Sequence, residues 1–484
     1  MGIDYKAYAS SEIIENSDLF SGLSDEIWKL SELSLKEFQS TELYCELLEK
    51  LGFSLERNLS GIPTAFCGRY GSGQPTIGIL GEFDALSGLS QRENVLEREE
   101  LVVGGAGHGC GHNLLGAGAL AAAYGIKRYL EKSGHGGTII FFGCPGEEGG
   151  SGKAFMAREG AWRSLDCALS WHPDDRNEVV SGTNNSCIQK EYIFSGLSAH
   201  AAEAPERGRS ALDAVELMNI GVQFLREHMS SSCRIHYSIT DAGGVSPNVV
   251  QSRARVLYMI RSIDVADCIA LTKRVDSIAR GAALMTETEQ IERFIDGCAN
   301  LLPNFSLEKV LHDNLCLAKT ASFDESDLSL AKQFIETFEY KRTGTPFVRD
   351  NTPDFVKQFV IGQCSGVDKP LCDFVLPLFS CESAVMGSTD VGDVSRETPT
   401  AQIRAATFPC GSPCHSWQNV SCGKSAFAHK GMLYAARALA GTAVDLFENP
   451  ALLAEARAEF DKRIASCGGY LCPIPDDAVP TPID

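Results

Sequence analysis

A chain of 484 residues exceeds what one ordinary compact core takes up, so about two domains are expected. Its 44% hydrophobic and 22% charged content is that of a soluble globular protein, and no unbroken apolar run of about 18 residues offers a membrane span. The formal charge of -20, from 63 acidic against 43 basic residues with no basic block, speaks against nucleic acid or an anionic membrane as partner.

The opening twenty or so residues are polar and acidic, without the basic start and apolar middle of a secretory signal, so the cytoplasm is the expected location. There the 18 cysteines are expected to stay reduced. Apolar positions at helical spacing (Ile13, Leu19, Ile27, Leu30, Leu43, Leu47) predict two or three opening helices over 9–57. Short β-rich runs at 76–80, 138–144 and 167–171 then alternate with helical stretches such as 114–130. That alternation argues for an α/β layer with a largely parallel, buried sheet.

From about 189 the pattern changes to strand, helix, two strands, helix and strand, at 191–194, 210–227, 233–240, 254–260, 268–282 and 286–295. This order suits a ferredoxin-like α+β unit inserted in the first domain. The expected division is a catalytic domain over 1–187 and 299–484, with an inserted lid or dimerisation domain over 188–298. Region 343–377 is irregular and receives no assignment. Two amphipathic helices are predicted at 425–447 and 450–466, and the prolines of the tail from Cys472 exclude regular helix there.

Four short segments carry the chemistry. The first is Gly-His-Gly-Cys-Gly-His-Asn, 107–113, where glycines free the backbone beside a thiol and imidazoles just before a helix. Thiolate and imidazole suit zinc, nickel, cobalt or manganese, although a glycine-rich turn around a buried cysteine is the plainer reading. The second is Glu147-Glu148 at the end of an apolar strand. Adjacent carboxylates repel unless a cation relieves them, one acid serving as ligand and the other as base; a solvated acidic loop is the alternative. The third is His172 in Ser-Trp-His-Pro at another strand end, and the fourth is His415 in a turn-rich loop far along the chain. Either histidine alone is more often structural. Their joint order gives the pattern its weight.

The succession Cys-Gly-His, Glu-Glu, Trp-His-Pro, Ser-Ala-His-Ala-Ala and a late His resembles the aminoacylase/carboxypeptidase metallopeptidase family, in its amidohydrolase branch, from Gly81 to His415. The segments GEFDALSGLSQ, GHGCGHNLLG, SGLSAHAAEAPERGRSALDAVELMN, GGVSPNVVQ and GSTDVGDVS are most similar to the subgroup acting on p-aminobenzoyl-glutamate. The chain departs from the wider branch at Asn113, where Asp is usual, and in having Gly146 before the Glu pair instead of Ala.

The resemblance implies that Cys110, His112, Glu148, His172 and His415 bind one or two divalent ions, manganese or zinc first, with Glu147 as general base. It implies that His200, on the insert, reaches a partner subunit's active site to stabilise the oxyanion, and that Asn248 and Arg261 hold the substrate's carboxylate. Arg207 and Arg209 are further candidates for an acidic side chain. Asp84 closes a buried strand and is expected to orient a ligand imidazole from behind, with service as a ligand itself the alternative. His108 is left open, and the remaining histidines are expected to be structural or exposed.

The expected activity is hydrolysis of the amide bond in N-acyl or N-aroyl amino acids by a homodimer or a heterodimer of similar chains. The alternatives are a dipeptidase or auxin-conjugate hydrolase, a non-catalytic partner subunit, and a cysteine hydrolase using Cys110 activated by His112.

Overall fold

The computed structural model describes residues 3–340, 344–349, 352–385 and 387–482. Three helices open the chain: Tyr5–Glu15, Ser17–Leu30 and Phe38–Lys50. In chain order the strands are β1 (Ser54–Arg57), β2 (Phe66–Ser72), β3 (Thr76–Glu82), β4 (Gly137–Cys144), β5 (Cys167–Asp174), β6 (Glu178–Val180), β7 (Thr183–Asn184), β8 (Ser186–Ser195), β9 (Arg234–Asp241), β10 (Arg253–Ser262), β11 (Glu289–Cys298), β12 (Ala384–Val385) and β13 (Thr400–Ala406).

Seven strands form one sheet in the order β1-β2-β4-β3-β5-β13-β6. Its centre, β4-β3-β5-β13, is parallel, and the strands outside it pair antiparallel. Strands β3 and β4 are buried at every position, as parallel strands covered on both faces must be. The helices His112–Ser133 and Ala426–Glu448 pack on each other and on this sheet. No helix among the described residues is long and apolar enough to cross a membrane.

A second sheet, β11-β8-β10-β9, is antiparallel throughout. Strand β10 alternates buried and more exposed positions along its whole length, so one face carries the helices Ala211–Leu225 and Val265–Thr286 around a separate apolar core that includes Tyr192, Val256 and Tyr258. Strand order and chain order together make a ferredoxin-like unit. Where this stretch begins and ends, Cys187 and Cys298 stand opposite each other in register on β8 and β11, with their Sγ atoms 3.4 Å apart.

Three local readings change. The helix expected at 114–130 begins at His112, which places a candidate ligand in its first turn. The helix Ala426–Glu448 is buried on nearly all sides, not along one stripe, because its run of alanines and glycines admits neighbours closely from several directions. Within 343–377 the described residues include the helix Asp354–Cys364, while positions 343, 350 and 351 lie outside them.

Candidate active site

The parallel strands β3, β4 and β5 bring their carboxyl ends to one edge of the sheet, the crevice where α/β folds gather ligands. Strand β3 ends in Glu82, with Asp84 just beyond; β4 leads into the Glu147-Glu148 turn, and β5 carries His172. Helix His112–Ser133 starts over the same edge. Its first turn needs Gly111 in a left-handed conformation (φ 81°), and a Cβ there would lie 2.8 Å from Phe408 and 3.0 Å from Pro173. A glycine is therefore required between Cys110 and His112.

Buried His112 contacts Asp84 through Nδ1 at 3.0 Å, which leaves Nε2 turned toward the acids: 3.3 Å from Glu82 Oε2 and 3.9 Å from Glu148 Oε1. Cys110 Sγ lies 3.3 Å from His172 Nε2, whose Nδ1 contacts the Pro173 carbonyl oxygen at 2.7 Å. His415, at positive φ in its turn, places Nε2 3.6 Å from Glu148 Oε2. The loop before it is tied down by Gly411 N–H donating to Asp175 at 2.8 Å. Asn419, just after it, donates to the Gly109 carbonyl at 3.1 Å and so joins the His415 loop to the Cys110 loop.

The Glu147-Glu148 turn is held by two buried acids through its backbone. Asp84 Oδ2 accepts from Glu148 N–H at 2.9 Å, and Glu37 Oε1 accepts from Gly146 N–H at 2.9 Å. Asp84 also accepts from Ser34 Oγ at 2.7 Å.

The electrostatics follow from burial and crowding. Burial is the largest influence on Asp84 and would raise it, but the hydrogen bond and charge of His112, with the Glu148 N–H and Ser34 bonds, together outweigh it and hold the carboxyl at about 2. Burial, with His112 as a cationic neighbour, pushes His172 down to about 4 and keeps it neutral, the form in which imidazole ligates metal. Glu147 is held well above the ordinary carboxylate range by burial first and then by Glu82, Glu148 and Asp390. Burial also raises Glu148, against the pull of His112 and His415.

Ligand-competent atoms converge in three overlapping sets, each with all its atoms within 4.8 Å of one another: Cys110, His112 and His172; Cys110, Glu148 and His415; and Glu82, His112 and Glu147. His112 Nε2 and Glu148 Oε1 are buried without a hydrogen-bond partner among the described residues. Two orphaned, ligand-type atoms aimed at each other across 3.9 Å, beside a thiol and two further imidazoles, fit a divalent cation.

The other sequence candidates are not among these three sets. His200 is exposed before the helix Ala211–Leu225, its Nδ1 accepting from the Ala202 and Glu203 N–H groups at 3.2 and 3.1 Å. Exposed Asn248 accepts from Ala201 N–H through its backbone carbonyl. Arg207 is exposed and 3.9 Å from its neighbour Glu206, and Arg209 donates to Glu287. Arg261 donates from Nη1 to Ser388 Oγ at 2.6 Å, so it links β10 to the segment 387–395. His108 is buried with Nε2 3.0 Å from the Ile27 carbonyl, a structural contact.

The sequence reading missed Glu82, Lys153 and Asp390. Lys153 is wholly buried, with Nζ 2.7 Å from Glu82 Oε1 and 2.6 Å from Asp390 Oδ1. An acid closing an all-buried strand is the signal that points to such a pair, since a buried charge demands a partner.

The sequence pattern of Peptidase family M20/M25/M40 matches residues 79–440. The chain belongs to that family. This M20-family chain is 42% identical over 466 residues to a p-aminobenzoyl-glutamate hydrolase subunit of Escherichia coli strain K12, covering 96% of each. It is 28% identical to the Xaa-Arg dipeptidase of Mus musculus, covering 94% of this chain and 92% of the relative. Its fold is shared with a dinuclear metal-binding M20 peptidase of Bacillus subtilis, at a TM-score of 0.54 and 13% identity, covering 90% of this chain and 98% of that one. Membership of that family makes the chain a metal-dependent amidohydrolase.

Proposed function

We propose that the chain hydrolyses the amide bond of N-acyl or N-aroyl amino acids, with p-aminobenzoyl-glutamate as first substrate, and that Cys110, His112, Glu148, His172 and His415 hold one or two divalent ions, manganese or zinc, in the cytoplasm. The observation that carries the reading is the convergence of thiol, imidazole and carboxylate atoms beside a second acid, Glu147, whose burial favours its protonated form. The 42% identical relative, named for that substrate, supports the choice.

When bound, the metal supplies Lewis acidity to the scissile carbonyl and to water. Glu147 takes the proton of the attacking water and carries it to the leaving nitrogen; burial, which raises its carboxyl above the ordinary range, makes it a stronger proton acceptor. Asp84 fixes His112 with Nε2 toward the acids and holds the Glu148 backbone in place. Arg261 and Asn248 receive the substrate's carboxylate, with Arg207 a further candidate for an acidic side chain, and His200, from a second copy or a similar chain, donates to the oxyanion. The relative's designation as a subunit favours such a partner. In this scheme 1–187 and 299–484 form the catalytic domain, and 188–298 the lid and dimerisation unit.

The test is a hydrolysis screen over N-aroyl and N-acyl glutamates, aspartates and dipeptides, run before and after chelation. Activity lost to chelator and restored by manganese or zinc is expected, highest on p-aminobenzoyl-glutamate. A chelator-resistant, thiol-sensitive activity points instead to Cys110 as nucleophile, and preference for a dipeptide to the dipeptidase alternative.

A further inference from the structure

The third ligand-competent set contains an acid that the proposed metal ligands leave out. Glu82 Oε2 is 3.3 Å from His112 Nε2, nearer than Glu148 Oε1 at 3.9 Å. Together Glu82, His112 and Glu147 present ligand atoms within 4.8 Å of one another. A divalent ion settling there would draw in Glu147 and occupy the carboxylate that must stay open to accept a proton.

The other oxygen of Glu82 faces an ammonium. Lys153 Nζ lies between Glu82 Oε1 (2.7 Å) and Asp390 Oδ1 (2.6 Å), and all three side chains are buried from solvent. Lys153 is anchored at both ends, because its own backbone N–H donates to Asp390 Oδ2 at 2.8 Å and its carbonyl accepts from Trp162 Nε1 at 3.2 Å. Its charge cannot diffuse away as a bound ion can, and removing it would leave two carboxylates buried without a counterion. A fixed positive charge beside Glu82 also opposes any second cation at that oxygen.

We propose that Lys153 is a built-in cation that claims Glu82, keeping this carboxylate out of the metal's ligand set and leaving Glu147 uncoordinated. Lys153 is in this sense a positioning residue, and the inference rests on the ligand set and base named under the proposed function.

Two variants test it, read first by elemental analysis of manganese-loaded, desalted protein and then by kcat and KM. Glu82→Gln keeps the Lys153–Asp390 pair and is expected to bind as many manganese ions per chain as the wild type. Loss of an equivalent in Glu82→Gln makes Glu82 a ligand and overturns the proposal. Lys153→Met frees Glu82 and is expected to bind additional manganese, with kcat lowered roughly tenfold to a hundredfold and KM little changed. Folded Lys153→Met protein with the wild-type ion count and wild-type kcat also overturns it. If Lys153→Met does not fold, the ion count of Glu82→Gln decides alone. Failure of the functional reading is seen separately, as wild-type protein without chelator-reversible hydrolysis.

Discussion

Glu147 and Glu148 are adjacent in sequence, yet their surroundings give them different work. Glu148 faces His112 and His415, whereas Glu147 is crowded by Glu82 and Asp390 and held high by burial. Glu147→Gln preserves shape and removes the proton acceptor, so kcat is expected to fall by roughly a hundredfold to ten-thousandfold. Metal content, by elemental analysis, is expected to stay at the wild-type value; a normal rate would remove Glu147 from the mechanism. A different acid sets part of the stability profile. Glu308 is buried in the helix Phe305–Leu317, where burial pushes its carboxyl up to about 7. The folded state then binds more protons than the unfolded one above the ordinary glutamate pKa, so this group's contribution is full at low pH and is lost as pH rises through about 7. Glu308→Gln is expected to flatten the fall in Tm between about pH 5 and pH 8, an effect on the order of 2 to 3 kcal/mol. Thermal unfolding across that range reads it directly. At this scale the sequence discloses motifs well and partners poorly: Cys110, His112, Glu148, His172 and His415 stand in recognisable short patterns, whereas the Glu82–Lys153–Asp390 group is assembled from segments with no local spacing to relate them.

The helix His112–Ser133 and strand β3 meet more tightly than their apolar patterns require. A Cβ on Gly116 would lie 2.3 Å from Tyr44 Oη and 2.7 Å from the Glu82 carbonyl oxygen, and Tyr44 is fully buried. Gly116→Ala must therefore push the helix off the strand end and move His112 relative to Asp84. The expected result is a loss of about 1 to 3 kcal/mol of stability together with weaker divalent-ion binding, measured by thermal unfolding and metal titration. Gly22, in the helix Ser17–Leu30 with open space around it, is the control: Gly22→Ala should leave ion binding at the wild-type value and raise stability by roughly 0.5 to 1 kcal/mol. Element type was legible from the sequence because periodicity switches clearly between strand and helix, most plainly in the ferredoxin-like stretch. The all-round burial of Ala426–Glu448 was not, because small residues do not announce how many neighbours they will admit.

For the whole molecule, the metal is expected to act as a folding ligand as well as a reagent. A site built from the 107–113 loop, the strand ends and the distant His415 exists only when those segments are together, so an ion that binds there favours the folded state by mass action. At a free concentration about a hundredfold above Kd this amounts to about 2.7 kcal/mol. Chelation is expected to lower Tm, and adding back manganese or zinc to restore it; a Tm indifferent to chelator would place the ion outside the fold's cooperative core. Chain order disclosed the two larger sheets, but not how their parts are tied, since contacts such as Arg261 with Ser388 join segments remote in sequence. The facing of Cys187 and Cys298 sets one further property of the architecture. Because the polypeptide departs and returns on neighbouring strands, the seven-stranded body experiences everything between them as it would a tight hairpin, with two chain ends already side by side. Here the intervening unit could change in size without asking the seven-stranded sheet to change its spacing at all.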